Sequence, residues 1–423
     1  MKRVVTIVAV TAAIVTSTPY AGAADWDDLP PVKVDKNDWP WWRGPTHDGK
    51  AHPAQKPPVK WSKTESIVWQ SKVPGRGHGS PAIWGERIFL ATALKETEEQ
   101  VMLCYDRTTG KKLWQKTVHK GGFMKMHKKN SQASGTPACD GERVFISFMC
   151  KDATWMTALS LSGNTVWQER LGDFKSIHGY VGSPIIYKSS VIINCDTPTG
   201  SFITCRHRKT GKEIWRAKRA EHHSFSSPAI GNCCGRDQLV VVGANKVESY
   251  DPMTGKHLWS CDGPSDVGAT TATISDDMIF AAGGYPKRAL LAIKGDGKGD
   301  VTGSHLAWKV TKEAAYVTSL LLHDGLLHMI HDNSGTLRVF EPKTGKEVLN
   351  QKLSGECSSS PMLAGGNIYQ VDEKGVMNVF KPGAKYVEVA RNDLGNGGFA
   401  SPAFCDNRIY LRTLNNLYCI GDK

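Results

Sequence analysis

Asp106-Arg-Thr-Thr-Gly-Lys-Lys-Leu-Trp114 decides the fold of this chain, because it is a turn running straight into a strand and because it recurs. In Asp-x-x-Thr-Gly the Asp side chain bonds nearby backbone and the Gly takes a positive φ, as a tight link between antiparallel strands requires. The Trp that follows can fill the space between neighbouring sheets, burying about 150–250 Å². The same spacing returns at Gly163 and Trp167, Gly211 and Trp215, and Gly255 and Trp259. Gly303 and Trp308 lie one residue further apart, and Gly345 has Leu349 in the Trp place.

A second signature, Ser/Thr-Pro followed by an apolar run, falls between these turns. It stands at Ser80-Pro81, Thr136-Pro137, Ser183-Pro184, Ser227-Pro228, Ser360-Pro361 and Ser401-Pro402, and Thr270-Thr271 and Thr318-Ser319 fill the one gap. Eight units result, and the first interval, from Pro81 to Pro137, is the longest. Each unit reads as strand A after Ser-Pro, strand B (Arg143-Val-Phe-Ile-Ser-Phe and Gln238-Leu-Val-Val-Val are examples), strand C, the Gly turn, and strand D with its Trp. Four strands in about 45 residues is the blade of a propeller. No long helical period separates the units. The predicted fold is therefore all-β, an eight-bladed β-propeller of four-stranded blades over residues 62–423. The last unit, Ser401 to Gly421, has room for three strands, and Ser66-Ile-Val-Trp69-Gln supplies the fourth. The N-terminal strand is thus expected to join the C-terminal blade and close the ring, which hides strand edges that would otherwise aggregate.

Residues 1–23 read as a signal peptide: Lys2 and Arg3, an apolar run from Val4 to Val15, then Ala21-Gly22-Ala23 before a mature start at Ala24. The apolar run is too short to span a bilayer, and no later segment is long and apolar enough. No Cys stands at the cleavage point for lipid attachment. The expected location is the periplasm or cell envelope. The net charge of +12 includes Lys2 and Arg3, and the remaining Lys and Arg are spread out apart from Lys125–Lys129. That is a solvated basic surface, and no nucleic-acid partner is expected. The 11 Cys are an odd number. Cys104 and Cys205 precede repeat glycines within strands, as small buried hydrophobes do. Neither Cys-x-x-Cys-His nor paired Cys-x-x-Cys occurs, which argues against attached haem and a zinc ribbon.

With Ser-Pro strand starts, Asp-x-x-Thr-Gly-Lys-x-x-Trp turns and strand-D Trp over residues 62–421, the chain resembles the PQQ-like (quinoprotein-type) β-propeller repeat family. Residues 24–61 form a Trp/Pro-rich leader, and its Asp38-Trp-Pro-Trp-Trp-Arg-Gly-Pro-Thr-His-Asp-Gly49 is similar to the W-P-x-x-R-G-P segment of exported members. The resemblance implies either a quinone-dependent alcohol or sugar dehydrogenase, or a non-enzymatic propeller of the kind that assists outer-membrane protein assembly. The dehydrogenases carry insertions with a catalytic Asp, calcium ligands and a cofactor-clamping Arg, and no stretch here matches them.

The connections from strand D to the next strand A lead to the innermost strands, so they ring one mouth of the central channel. They place Arg76, His78, Asn130, Ser131, His178, Tyr180, His222, His223, Tyr316 and Phe399 there as candidate ligand-binding residues. No catalytic residue and no metal ligand can be assigned from spacing. The nearest obvious carboxylates, Asp173 and Glu221, come from different blades, so neither pyrroloquinoline quinone (PQQ) nor calcium is favoured and no cofactor is expected. Cys233-Cys234 falls in an A–B turn on the opposite face. The spaced carboxylates of Lys294–Gly303 read as a long C–D turn before a calcium loop, since Lys298 stands where a ligand is wanted. The leader reads as a plug or strap over the barrel, with a partner-binding arm as the alternative. The function these readings favour is a non-catalytic envelope scaffold for protein partners. The alternatives are the quinone-dependent dehydrogenase and a carbohydrate or anion binder at the channel mouth.

Overall fold

The computed structural model describes residues 26–422, so the expected signal peptide lies outside the described residues. Eight sheets stand in a ring. Blade 1 shows the pattern: Ala82–Trp84 (A), Arg87–Leu94 (B), Glu99–Asp106 (C) and Lys112–Lys120 (D), paired antiparallel in sequence order. Strands B and C are buried nearly throughout, while D alternates between half-buried and exposed. That gradient follows from position. B and C are covered by neighbouring blades on both faces and read as continuous apolar runs, whereas D is the rim and keeps one wet face.

The Ser/Thr-Pro signature proves to be the hub of the ring. The backbone N–H of Ser80 donates to Thr136 Oγ1, Thr136 to Ser183 Oγ, and Ser183 to Ser227 Oγ, each at 3.0 Å. Thr271 donates to Ser319 Oγ, Ser319 to Ser360 Oγ, Ser360 to Ser401 Oγ, and Ser401 back to Ser80 Oγ, at 2.8–3.0 Å. Each hydroxyl thus satisfies an inward backbone donor of the preceding blade, and a buried donor left unpaired would cost about 1–3 kcal/mol. The belt also refines the sequence alignment. In the two degenerate units the belt hydroxyls are Thr271 and Ser319, so Ala272 and Leu320, not Thr271 and Ser319, take the Pro place.

The Trp signature links blades as well, but across units. A Cβ on Gly110 would sit 2.5 Å from the ring of Trp69, and the same holds for Gly163 with Trp114, Gly211 with Trp167, Gly255 with Trp215, and Gly345 with Trp308, all below 3 Å. Each strand-D indole therefore lies flat on the turn glycine of the next blade. Its Nε1 caps a carbonyl of that blade's turn region: Arg107 for Trp69, Leu161 for Trp114, Arg208 for Trp167, Pro252 for Trp215 and Pro342 for Trp308. These glycines combine a φ near +70° to +90° with zero side-chain room, so no other residue serves. Trp259 differs because the next C–D turn is long. Gly299–Asp300, within Lys294–Gly303, pairs parallel with Trp259 and Ser260 as a fifth strand on blade 4, and Trp259 Nε1 bonds Gln238 instead.

The seam closes as expected. Ile67–Lys72 pairs antiparallel with Asn416–Ile420, joining Ala403–Cys405 and Arg408–Arg412 as blade 8. Cys104 and Cys205 are fully buried, and all 11 Cys are free thiols.

Two outcomes are expected. Trp215→Ala should cost about 3–5 kcal/mol in a denaturant melt, since it empties a buried site between blades 3 and 4; a loss under about 1 kcal/mol would contradict the inter-blade role. The second concerns His328, which is buried in blade 6 and accepts at Nε2 from the Gly383 N–H while Nδ1 faces the Leu321 carbonyl. Burial pushes its pKa down to about 4. A His whose folded pKa is depressed gives its full stabilisation above its ordinary pKa near 6.5 and loses it as pH falls toward 4. We therefore expect wild type to lose about 3 kcal/mol more than His328→Gln between those two pH values, measured by urea titration.

Candidate functional site

In an antiparallel blade the D–A connection and the B–C turn lie on the same face, so both sets of loops converge at one mouth of the channel. They enclose a cavity of about 930 Å³. Of the ten residues expected there, His78, Asn130, His178, His222, His223, Tyr316 and Phe399 line it. Arg76 stands just behind, its Nε donating to His78 Nε2 at 3.3 Å and its Nη2 to the Lys128 carbonyl at 2.7 Å. Ser131 and Tyr180 do not reach the cavity. Tyr180 is buried in the core with its hydroxyl 3.1 Å from Ser147 Oγ, and Ser131 bonds Ser134, because their loops turn these side chains back between blades 2 and 3.

The walls differ in chemistry. One side is imidazole and aromatic. His178 lies 6.4 Å from His127 and 5.9 Å from His223, ring centre to ring centre, and His223 stacks on Phe225. Burial, then the neighbouring His178 and His222, hold His223 below its ordinary pKa. The His78 ring packs at a tilt against Phe399, 4.3 Å between centres, and burial, with Arg76 and Arg412 nearby, drives its pKa to about 3. For His78 and His223 both shifts favour the uncharged imidazole. The facing side is built from ion pairs. Arg288 grips Asp332 through both Nη atoms (2.8 and 3.1 Å), and Asp332 also accepts the Tyr316 N–H at 2.7 Å. Gly284 leaves the room that Tyr316 occupies; a Cβ there would lie 2.1 Å from the Tyr316 Cβ and 2.4 Å from its ring. Burial, then the Asp332 charge, raises the Tyr316 phenol. Lys129, on the long first D–A connection, reaches across to Glu356 (2.5 Å) and Glu373 (3.2 Å). Burial opposes its charge, but the two carboxylates more than offset this and raise its pKa.

The floor comes from the leader. Residues 38–51 cross the A–B face, and Trp42 enters the channel far enough to line the cavity, its Nε1 donating to Thr271 Oγ1 at 2.9 Å. The leader is thus a strap with a plug. Cys233 ends strand A of blade 4 and Cys234 follows in the A–B turn opposite, their sulfurs 4.0 Å apart and not joined in a disulfide.

Sequence reasoning missed Trp42, Asp266, Arg288, Asp332 and Glu373, all of which line the cavity. Most of these sit on B–C turns, which the repeat signatures do not mark. Asp173 and Glu221, the carboxylates that the sequence pointed to, lie elsewhere: Asp173 pairs with Arg170 and Glu221 accepts from the Gly200 N–H. Among the described residues no three His, Cys, Asp or Glu side chains are placed to hold a metal ion.

Comparison with known proteins bears on the chemistry. A family profile described as outer membrane protein assembly factor BamB matches residues 59–194 and 246–383. Over 260 residues the chain is 24% identical to a 1-butanol dehydrogenase (quinone) of Thauera butanivorans, covering 54% of this chain and 38% of that protein. The chain therefore spans well under half the length of that relative. Among solved structures, BamB from Moraxella catarrhalis superposes with a TM-score of 0.59 at 15% identity, over 84% of this chain and 97% of that one. The quinohemoprotein alcohol dehydrogenase from Comamonas testosteroni gives 0.66 at 13% identity, over 95% and 84%. The expectation of no cofactor, with PQQ and calcium not favoured, is overturned by these quinone-using relatives. Its physical premise was incomplete, because three carboxylates, Asp266 of a D–A connection and Asp332 and Glu373 of B–C turns, line the cavity.

Asp332→Ala should cost about 3 kcal/mol in a denaturant melt, because it strands the mostly buried Arg288 guanidinium and the Tyr316 N–H. A loss below about 1 kcal/mol would show that the pair is not a fixed part of the wall.

Proposed function

The chain belongs to the family described as outer membrane protein assembly factor BamB, and from that premise we propose that its channel mouth binds a planar aromatic ligand of the quinone-cofactor class. The observation that carries this reading is the cup itself: a one-mouthed cavity of about 930 Å³ with aromatic rings on its walls and floor and fixed polar groups between them. A cavity of this size suits a single small molecule. Flat rings such as His78 with Phe399, and His223 with Phe225, offer stacking faces. Lys129, Arg288 and the imidazoles offer donors to carbonyl and carboxylate oxygens. Such a group supplies two-electron acceptor chemistry when bound. The protein's part is to orient it and to manage protons. Asp266 suits the second task, since its cavity-lining carboxylate accepts no hydrogen bond among the described residues and can take a proton from a substrate hydroxyl. Asp332 is a poorer base, because Arg288 and the Tyr316 N–H already occupy its oxygens.

A second reading is favoured by the family match and by the near-complete overlap with the BamB chain: a non-catalytic scaffold for envelope proteins, exported by the N-terminal signal. One experiment separates the two. In anaerobic titration with PQQ, with and without calcium, absorbance and equilibrium dialysis should show one saturable site of micromolar affinity or tighter. Asp266→Asn should retain that site and lose at least tenfold in dye reduction with alcohols. No saturable binding would sink the quinone reading and leave the scaffold.

A further inference from the structure

We propose that the leader around Trp42 is a working part of this ligand site: it seals the channel from the A–B face, and the Trp42 indole sets the depth of the cup and bears on the ligand from below. The inference rests on the ligand-site reading above, and three observations carry it. The hydroxyl belt joins seven of the eight blade junctions, and among the described residues the bond from Ser227 to Thr271 is the one not made. The Thr271 hydroxyl accepts from Trp42 Nε1 instead. The leader therefore occupies the position that a ring bond takes elsewhere.

The second observation is the neighbouring residue. Arg43 is buried with 1% exposure and has no carboxylate partner among the described residues. Its Nη2 donates to the carbonyls of Leu320 and Asp48, at 2.5 and 2.9 Å, and its Nη1 has no partner. Burial lowers its pKa to about 10. Burying an uncompensated guanidinium is costly. What this one holds is the leader turn against Leu320, the residue after the belt hydroxyl Ser319. Trp42 and Arg43, consecutive in sequence, thus fix the leader to consecutive blades at belt level.

The third observation is the span. Trp39 exchanges two backbone hydrogen bonds with Ile83 of blade 1, the Pro40 carbonyl accepts from Cys139 of blade 2, and Gly49 and Ala51 bond Leu363 of blade 7. Blades 1 and 2, held by Trp39 and Pro40, stand opposite blades 5 and 6, held by Trp42 and Arg43, so the segment crosses the channel before it reaches blade 7, and Trp42 is its residue in the cavity lining. The floor is therefore rigid and aromatic. It favours flat ligands and closes the route through the propeller, so a ligand enters only from the Lys129 side.

The test uses the full chain, with Trp42→Phe and Trp42→Ala. In the first arm PQQ is titrated by equilibrium dialysis. Trp42→Ala should weaken binding at least tenfold and Trp42→Phe, which keeps a flat ring, less than threefold; Trp42→Ala within twofold of a binding wild type would overturn the proposal. The second arm needs no quinone. The emission of wild type minus Trp42→Phe reports this indole alone, and iodide, entering as a small anion from the mouth, should quench it several-fold more than it quenches the remaining Trp emission. An indole out of reach of iodide would overturn the floor assignment. Iodide access without PQQ binding would uphold the plug and reject the quinone reading, so the two failures are told apart.

Discussion

The ring of Ser and Thr hydroxyls around the channel is the constraint on which the rest of this molecule depends. A propeller packs its blades mainly through apolar faces, and such contacts have no direction and little register of their own. The belt adds direction. Seven of the eight hydroxyls accept one backbone N–H from the blade before them, at 2.8–3.0 Å, along the channel wall. The bond fixes both the height of each strand A and the angle between blades. Once those heights agree, the D–A connections and B–C turns meet at a common rim. Once one junction goes unbonded, at Thr271, a foreign indole can enter, and it does.

The outer rim uses a different device for the same end. Each strand-D Trp lies on the turn glycine of the next blade and caps a carbonyl there, so the repeat unit in sequence is not the contact unit in space. This explains why Trp and Gly recur together although they do not touch within their own unit. Where a blade lacks the pair, other parts substitute. Blade 5 replaces its short turn with Lys294–Gly303, which caps blade 4 as a parallel strand. A loop that resembles a cation site in sequence is thereby spent on covering an edge.

The cup joins these frames to chemistry. Its imidazole and aromatic side comes from the D–A connections, and its ion-paired side from Arg288, Asp332 and the carboxylates that Lys129 spans to reach. Burial favours the uncharged form of His78 and His223, and Arg288 keeps Asp332 occupied, which leaves Asp266 as the lining carboxylate without a hydrogen bond among the described residues. A shared propeller says little about which chemistry it hosts. The comparisons themselves divide between an assembly factor and quinone-using dehydrogenases, so the decision lies in these side chains.

The sequence by itself determined the number of blades, the strand order within each and the closing strand at Ile67–Lys72, because those follow from signals a few residues long repeated along the chain. It also pointed to seven of the residues that line the cup, through the D–A connections that follow each Trp. Only the tertiary structure decided the rest. Asp332, Glu373 and Arg288 lie on B–C turns without a signature, and they meet Lys129 and His178 only because the ring brings distant blades to one rim. Ser131 and Tyr180 shared the right loops but turn inward, which loop membership cannot tell. Trp42 was legible as a plug candidate but not as a floor, since its place depends on a missing hydrogen bond between blades 4 and 5. Local sequence fixes what each turn is; which turns become neighbours is a property of the closed ring.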